Sequence, residues 1–176
     1  LQSSSATMAL TLIMLSMGWI RFDMACAIVL GENIGTTITA NIAAAVGNSS
    51  AKRAALAHTV FNVFGVIWVL ALFPVVLKLT GFITSAIFAV PDPAAEGFTV
   101  VSAVKGAMEQ TPSQTAALFG LSMLHTLFNC LNTFILIWFI PAIEKLVCFV
   151  IKKSDDNEQE VHTLKYMNTG PIEIPE

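Results

Sequence analysis

Four apolar stretches divide the chain, and short polar segments separate them. The first stretch is only about 13 residues long, whereas a helix that crosses a bilayer needs about 20. It is therefore predicted to be a re-entrant or buried half-helix, and the longer stretches predict about three transmembrane helices. The resulting fold class is an all-α integral membrane protein. The stretches are Met8–Ile20, Met24–Val46, Ala54–Leu77 and Thr115–Ile151, the last with Pro141 near its middle.

The polar segments between these stretches predict how the chain is oriented. Residues 80–114 contain prolines and charged side chains and are predicted to be an extramembrane loop, in which 98–108 can form a surface helix. Lys52-Arg53 and Lys152-Lys153 are the two basic pairs that flank spans, and basic residues favour the cytoplasmic side. Residues 1–151 are therefore predicted to be a transmembrane domain with an outward loop, and residues 152–176 a cytoplasmic tail.

Composition supports the membrane assignment and excludes other classes. Only 12% of the residues are charged, against about 25% in an average soluble domain, and the mean hydropathy is +0.73. A net charge of −3 offers no basic face for nucleic acid. Cys26, Cys130 and Cys148 each stand alone in apolar sequence without disulfide or metal spacing. No nucleophile–base or metal constellation is present in the sequence, so no enzyme activity is predicted.

Polar residues interrupt the second apolar stretch at GENIGTT, residues 31–37. Gly31 and Gly35 favour an unwound segment, and irregular backbone at membrane depth survives only inside protein or beside water. Unwinding would expose carbonyl oxygens for Na⁺ and N–H groups for anions, as in transporters with broken helices. The alternative is a glycine- and threonine-rich helix that packs closely on a neighbour. The side chains that add oxygens here are Asn33, Thr36, Thr37 and Thr39.

A second polar cluster, Gln2-Ser3-Ser4-Ser5, precedes the first apolar stretch. Serine hydroxyls and a glutamine amide can donate to the oxygens of phosphate or sulfate, and their oxygens can coordinate Na⁺. Three serines before a helix can equally cap it, which leaves an anion-binding function open.

Two further features involve ionisable residues. Glu32 lies among membrane-depth residues, where a carboxylate is costly and by default suggests a function, either cation binding or proton transfer. The alternative is an interfacial position with a partner such as Arg21. The sequence His58-Thr-x-Phe-Asn62 recurs as His125-Thr-x-Phe-Asn129, and a proline follows 16 residues after each histidine. This repeat predicts two related helices, whose His and Asn side chains can bond across helices.

The motifs together resemble those of the bacterial sodium/phosphate cotransporter family, which is similar to the animal type II sodium–phosphate cotransporters. The motifs are QSSSAT, GxNIGTTxTA, AKRAAxAHxxFNxxG and the second HTxFN. Members carry two inverted repeats, each with a QSSS hairpin followed by a GxNIGTT helix. This chain has one copy of each, so it resembles the second repeat, one half of the transporter, and a first repeat in the same polypeptide is an expected partner. Its tail resembles the start of the family's cytoplasmic helical domain.

The resemblance implies Na⁺-coupled symport of inorganic phosphate by a multi-pass protein of the bacterial inner membrane. Na⁺ is the coupling ion, no other cofactor is implied, and a homodimer is left open. Phosphate binding is implied for Gln2, Ser3, Ser4, Ser5, Thr36 and Thr37, and Na⁺ binding for Gln2, Ser5, Glu32, Asn33, Thr36 and Thr37.

Glu32 departs from the family pattern, in which Ala or Ser is common at this position. A carboxylate there disfavours a multiply charged anion unless Na⁺ or a proton offsets it. Two alternatives therefore stay open: a phosphate exporter or a carrier of another anion on the same scaffold, and a non-transporting membrane module with a regulatory cytoplasmic domain.

Overall fold

The computed structural model describes residues 4–101 and 110–152, and within these ranges the fold is entirely helical. This confirms the predicted all-α class. Of the predicted site residues, Gln2 and Ser3 lie outside the described ranges, as do most of the predicted surface helix at 98–108 and nearly all of the tail. The helices are α1 (Ser4–Ser16), α2 (Phe22–Ala45), α3 (Ser49–Ala71), α4 (Phe73–Phe88), α5 (Pro112–Leu136) and α6 (Ile140–Val150), and a 3₁₀ turn (Ile137–Phe139) joins the last two.

A tight turn joins α1 and α2 into a hairpin. Gly18 in this turn has a φ of +72°, a conformation that residues with a Cβ rarely adopt, and a Cβ there would lie 2.9 Å from the carbonyl oxygen of Val100. Helix α1 has 13 residues and is therefore about 20 Å long, too short to cross a bilayer. The short helix that the sequence predicts before Arg21 is thus present, and it packs against α2 and α5.

Helix α2 is continuous through GENIGTT, and the predicted unwinding at this segment is wrong. The helix runs unbroken for 24 residues, from Phe22 to Ala45. Its polar side chains bond back to its own backbone: Nδ2 of Asn33 donates to the Val29 carbonyl at 2.9 Å, and Oγ1 of Thr36 donates to the Glu32 carbonyl at 2.9 Å. Because these side chains are hydrogen-bonded to their own helix, the backbone hydrogen bonds of α2 stay intact. Two glycines alone do not suffice to break the helix.

The third apolar stretch forms two helices rather than one span. Helix α3 ends at Ala71, and α4 begins at Phe73 with Pro74 in its first turn. Proline lacks the N–H that a helix interior requires and is tolerated in a first turn, which explains the break. Helix α4 then continues to Phe88, so residues 80–88 are helical and the predicted loop is wrong over this part. Irregular chain begins at Ala89.

Helices α3 and α5–α6 are long and apolar enough to cross a membrane. In the most apolar part of each, only 28% and 11% of the residues are buried, whereas the core helix of a soluble protein is mostly buried. Exposed large side chains lie along both, including Ile67, Phe134 and Phe149. Soluble monomers rarely expose such extended apolar surface. Lipid or other protein must cover these faces, which supports a membrane location.

The core lies where α1, α2, α3 and α5 meet. Small residues on α2 and α5 bring these helices close together, and Ala25, Cys26, Ala116 and Ala117 are all fully buried. Larger apolar side chains fill the remaining space: Leu15, Phe22, Val29, Leu30, Val66, Val69, Leu121, Leu124 and Phe128.

A buried asparagine that the sequence analysis overlooked ties α3 to α5. Asn132 has no exposed surface; its Nδ2 donates to the Phe61 carbonyl at 3.0 Å, and its Oδ1 accepts from Nε1 of Trp68 at 3.3 Å. Its side chain fits because Gly65 faces it: a Cβ at Gly65 would lie 2.5 Å from Nδ2 of Asn132.

The His-Thr-x-Phe-Asn repeat has the same local geometry in both copies. Asn62 donates to the His58 carbonyl at 3.0 Å, and Asn129 donates to the His125 carbonyl at 2.8 Å. In each copy the following helix carries proline in its first turn. These asparagine amides therefore bond within their own helices, and the cross-helix bond expected of the repeat comes from Asn132 instead.

Replacing Asn132 with leucine is expected to destabilise the protein by about 1–3 kcal/mol, because the Phe61 carbonyl and the Trp68 indole N–H lose their buried partner. Asn129→Leu is the matched control on the same helix, since the amide of Asn129 bonds only within its own helix. Thermal unfolding of both variants in detergent measures the difference. Equal melting temperatures for the two would show that Asn132 does not tie the helices.

Candidate functional site

Two of the four residues in the predicted QSSS cluster are described, and both lie in the first turn of α1. Ser4 and Ser5 are exposed, and α1 begins at Ser4. The first N–H groups of a helix have no partner within the helix, and together with the helix dipole they attract anions. Exposed hydroxyls in that turn add further donors. The structure thus places Ser4 and Ser5 at the start of α1, and oxyanion binding there stays a prediction.

The predicted ligands on α2 offer oxygens rather than hydrogen-bond donors. The hydroxyl of Thr36 donates to the Glu32 carbonyl, the hydroxyl of Thr37 donates to the Ile34 carbonyl at 2.8 Å, and the Asn33 amide nitrogen is similarly engaged. Each group uses its donor on the helix and keeps oxygen lone pairs that can face a cation. In this conformation the three side chains suit Na⁺ better than they suit phosphate.

Glu32 carries a buried carboxylate oxygen without a partner. Among the described residues, Oε2 of Glu32 has no hydrogen-bond partner although the atom is buried. Arg21, the neighbour proposed as its partner, instead forms an ion pair with Asp23 at 2.7 Å. Buried polar atoms are rarely left unsatisfied, and a bound cation is one ordinary way to satisfy a carboxylate oxygen. The interfacial pairing with Arg21 is thus wrong, and a cation site at Glu32 fits the geometry.

Asn41, which the sequence analysis overlooked, joins the site helix to α3. Its Nδ2 donates to the Thr37 carbonyl at 2.7 Å and to Oγ1 of Thr59 at 2.6 Å. Asn41 lies one turn beyond Thr37, so it fixes this end of the candidate site against α3. The sequence signal that could have identified Asn41 is its position in the same run of polar residues as Thr36 and Thr37.

One face of α2 is open. Gly31, Gly35, Ile38 and Ile42 share one stripe of α2, all are exposed, and a Cβ added at either glycine would meet no atom within 4 Å. Two cavities, of about 530 and 620 Å³, are lined by other residues. The predicted ligands do not lie on this stripe: at about 100° per residue they fall on the other side of α2, where Thr37 is buried and Asn33 and Thr36 are only partly exposed.

The histidines and cysteines add no metal centre in the described part of the chain. No group of three His, Cys, Asp or Glu side chains is arranged to hold a metal ion there. Cys26 is buried, and Cys130 and Cys148 are exposed without a disulfide partner.

The chain is similar to a known protein family and to a bacterial protein. The protein YqeW of Bacillus subtilis (strain 168), which is described as uncharacterized, is 43% identical over 94 residues. That match covers 53% of this chain and 29% of YqeW, so the chain spans less than a third of the relative it matches. No solved structure matches the chain. Residues 1–90, just over half of the chain, match the Na⁺/Pi-cotransporter family, and the chain therefore belongs to this family.

Proposed function

We propose that the protein carries out Na⁺-coupled secondary transport of inorganic phosphate, and that this chain supplies half of the transport site. The observation that carries the proposal is the family match over residues 1–90, which includes both the serine cluster and the GENIGTT segment. The exposed apolar faces of α3 and α5–α6 support a multi-pass location in the bacterial inner membrane. Helix α1 enters the bilayer without crossing it.

Each half of the α1–α2 hairpin has its own proposed role. Gln2, Ser3, Ser4 and Ser5 bind phosphate through hydroxyl and amide donors, and the positive end of the α1 dipole favours the anion. Na⁺ is held by oxygens of α2, at Glu32, Asn33, Thr36 and Thr37, with Gln2 and Ser5 completing the set. Thr36 and Thr37 reach phosphate only if their hydroxyls turn away from their own helix. A first repeat of the same polypeptide closes the open stripe of α2.

One observation favours a second candidate, a carrier of another anion on the same scaffold. The unpartnered carboxylate of Glu32 adds negative charge beside the proposed site, which disfavours a multiply charged substrate unless a cation is bound. Uptake of labelled phosphate into proteoliposomes of the full-length protein, with unlabelled sulfate or monovalent anions as competitors, distinguishes the two. Competition by phosphate alone supports the first proposal, and displacement by a monovalent anion at lower concentration supports the second.

The proposed topology predicts opposite accessibility for two exposed positions. Ser50 is adjacent to Lys52-Arg53 and is expected in the cytoplasm, whereas Thr99 lies in the loop after α4 and is expected outside. Single cysteines are placed at each position in a background without Cys26, Cys130 and Cys148. An impermeant thiol reagent added to intact cells should label position 99 and not position 50, and the reverse pattern would overturn the orientation.

A further inference from the structure

A groove between α3 and α6 has no role in the proposed transport site. It is an open groove with a volume of about 620 Å³, within the range typical of ligand pockets. Its walls belong to the two helical segments that are long and apolar enough to cross a membrane. Small side chains on α3 create the space, and branched side chains of α6 form the opposite wall. The apolar lining includes Ala54, Ala57, Phe61, Ile140, Ile143 and Val147.

One end of this groove is basic. Nε of Arg53 donates to the Ile151 carbonyl at 3.0 Å, which brings the first turns of α3 beside the end of α6. Lys152 follows Ile151 and Lys52 precedes Arg53 in the sequence, so this contact brings the backbones of both lysines to the same end of the groove. Both lysines are exposed, and the only ion pair in the described ranges is that of Arg21 with Asp23. The terminal nitrogens of the Arg53 guanidinium keep their donors for a ligand.

We propose that this groove binds an anionic phospholipid, with its phosphate at Lys52, Arg53 and Lys152 and an acyl chain along the apolar walls. Basic pockets between membrane helices bind anionic lipid headgroups, and each lysine or arginine near the membrane surface contributes measurably to such binding. A groove with cations at one end and apolar walls along its length matches the two parts of a phospholipid. A free phosphate ion would use only the basic end.

An acidic side chain deeper in the groove determines which end of the groove the lipid headgroup occupies. Glu144 precedes Ile151 by seven residues, which places it about 10 Å along α6 from the basic end. His58 and Glu144 line the same cavity. A carboxylate at that depth repels a phosphate group, so the headgroup is confined to the end at Arg53. The inference rests on the membrane location and not on which anion the protein transports.

Lipid retention in nanodiscs tests the proposal. The full-length protein is reconstituted with a mixture of phosphatidylglycerol and phosphatidylcholine, and the lipid that remains bound is measured by native mass spectrometry. Preferential retention of phosphatidylglycerol is expected. The triple variant Lys52→Gln, Arg53→Gln and Lys152→Gln should lose about tenfold in this preference, whereas Lys78→Gln, a single change on exposed α4 outside the groove, should not. An equal loss of phosphatidylglycerol preference in the triple variant and in Lys78→Gln would indicate non-specific attraction and overturn the proposal.

A second variant keeps the test decisive if the triple variant fails to fold. Ala57→Trp leaves every basic residue in place but fills the groove, so it should also lose the retained lipid. Unchanged retention would show that no acyl chain occupies the groove and would contradict the proposal. Displacement of the lipid by added inorganic phosphate would assign the basic end to the free ion, and would also contradict it.

Discussion

Replacing Ser4 with alanine is expected to weaken the apparent affinity for phosphate by roughly 5- to 150-fold. Ser4 is the first residue of α1, and its side chain is exposed in the first turn. Removing one hydrogen bond to a charged ligand costs about 1–3 kcal/mol, which corresponds to this range. Concentration dependence of phosphate uptake by the full-length protein measures the change.

Ser16→Ala is the matched control, since Ser16 is the last residue of the same helix. Its hydroxyl donates to the Ile13 carbonyl at 2.9 Å, and its own carbonyl, which accepts from Gln114, is retained in the variant. Its phosphate affinity should equal that of the parent protein. If Ser4→Ala also leaves the affinity unchanged, the serine cluster serves as a helix cap and the proposed phosphate site is wrong.

Replacing Glu32 with alanine is expected to raise the Na⁺ concentration for half-maximal uptake by about tenfold, a loss on the order of 1.4 kcal/mol. The reason is the buried carboxylate oxygen of Glu32, which has no partner among the described residues and lies one turn before Thr36 on α2. Removing it takes away a negatively charged oxygen ligand, and Na⁺ prefers such oxygens. Phosphate should remain the substrate.

Asp23→Asn on the same helix separates loss of a Na⁺ ligand from a general loss of negative charge. Asp23 is already paired with Arg21, so its neutralisation should leave the Na⁺ dependence as it is. A Glu32 variant whose Na⁺ dependence is unchanged but whose uptake no longer varies with pH would reassign the carboxylate to proton transfer. A variant unchanged in both respects would make Glu32 a spectator.

The helices were predictable from the sequence wherever apolar length and turn residues agreed. The short first helix follows directly from polarity and length. The break between α3 and α4 was not predicted, because uninterrupted apolar composition masked Pro74, although proline in a first turn is an ordinary start signal. The start of the predicted loop was also misplaced, at residue 80, because polar residues there suggested exposed chain. Thr80 and Thr84 are instead buried in α4, where their hydroxyls donate to carbonyls of the same helix.

The backbone of the candidate site was predicted wrongly, and the roles of its residues stay predictions. Glycine and polar side chains suggested an open segment, yet Asn33, Thr36 and Thr37 satisfy their donors within an intact helix. Whether a threonine turns its hydroxyl inward or toward a ligand depends on what surrounds the helix, and composition does not specify the surroundings. Asn132 was overlooked for the same reason, since only the contact with Gly65 and Trp68 distinguishes it from other asparagines in apolar sequence.

The most direct test of the central proposal is phosphate accumulation in proteoliposomes of the full-length protein under an imposed Na⁺ gradient. Labelled phosphate should accumulate above its external concentration when Na⁺ is higher outside, and the accumulation should collapse when the gradient is dissipated. An equal K⁺ gradient is the control and should support only equilibration. Accumulation that is the same with K⁺ as with Na⁺, or no phosphate uptake under either gradient, would contradict Na⁺-coupled phosphate transport.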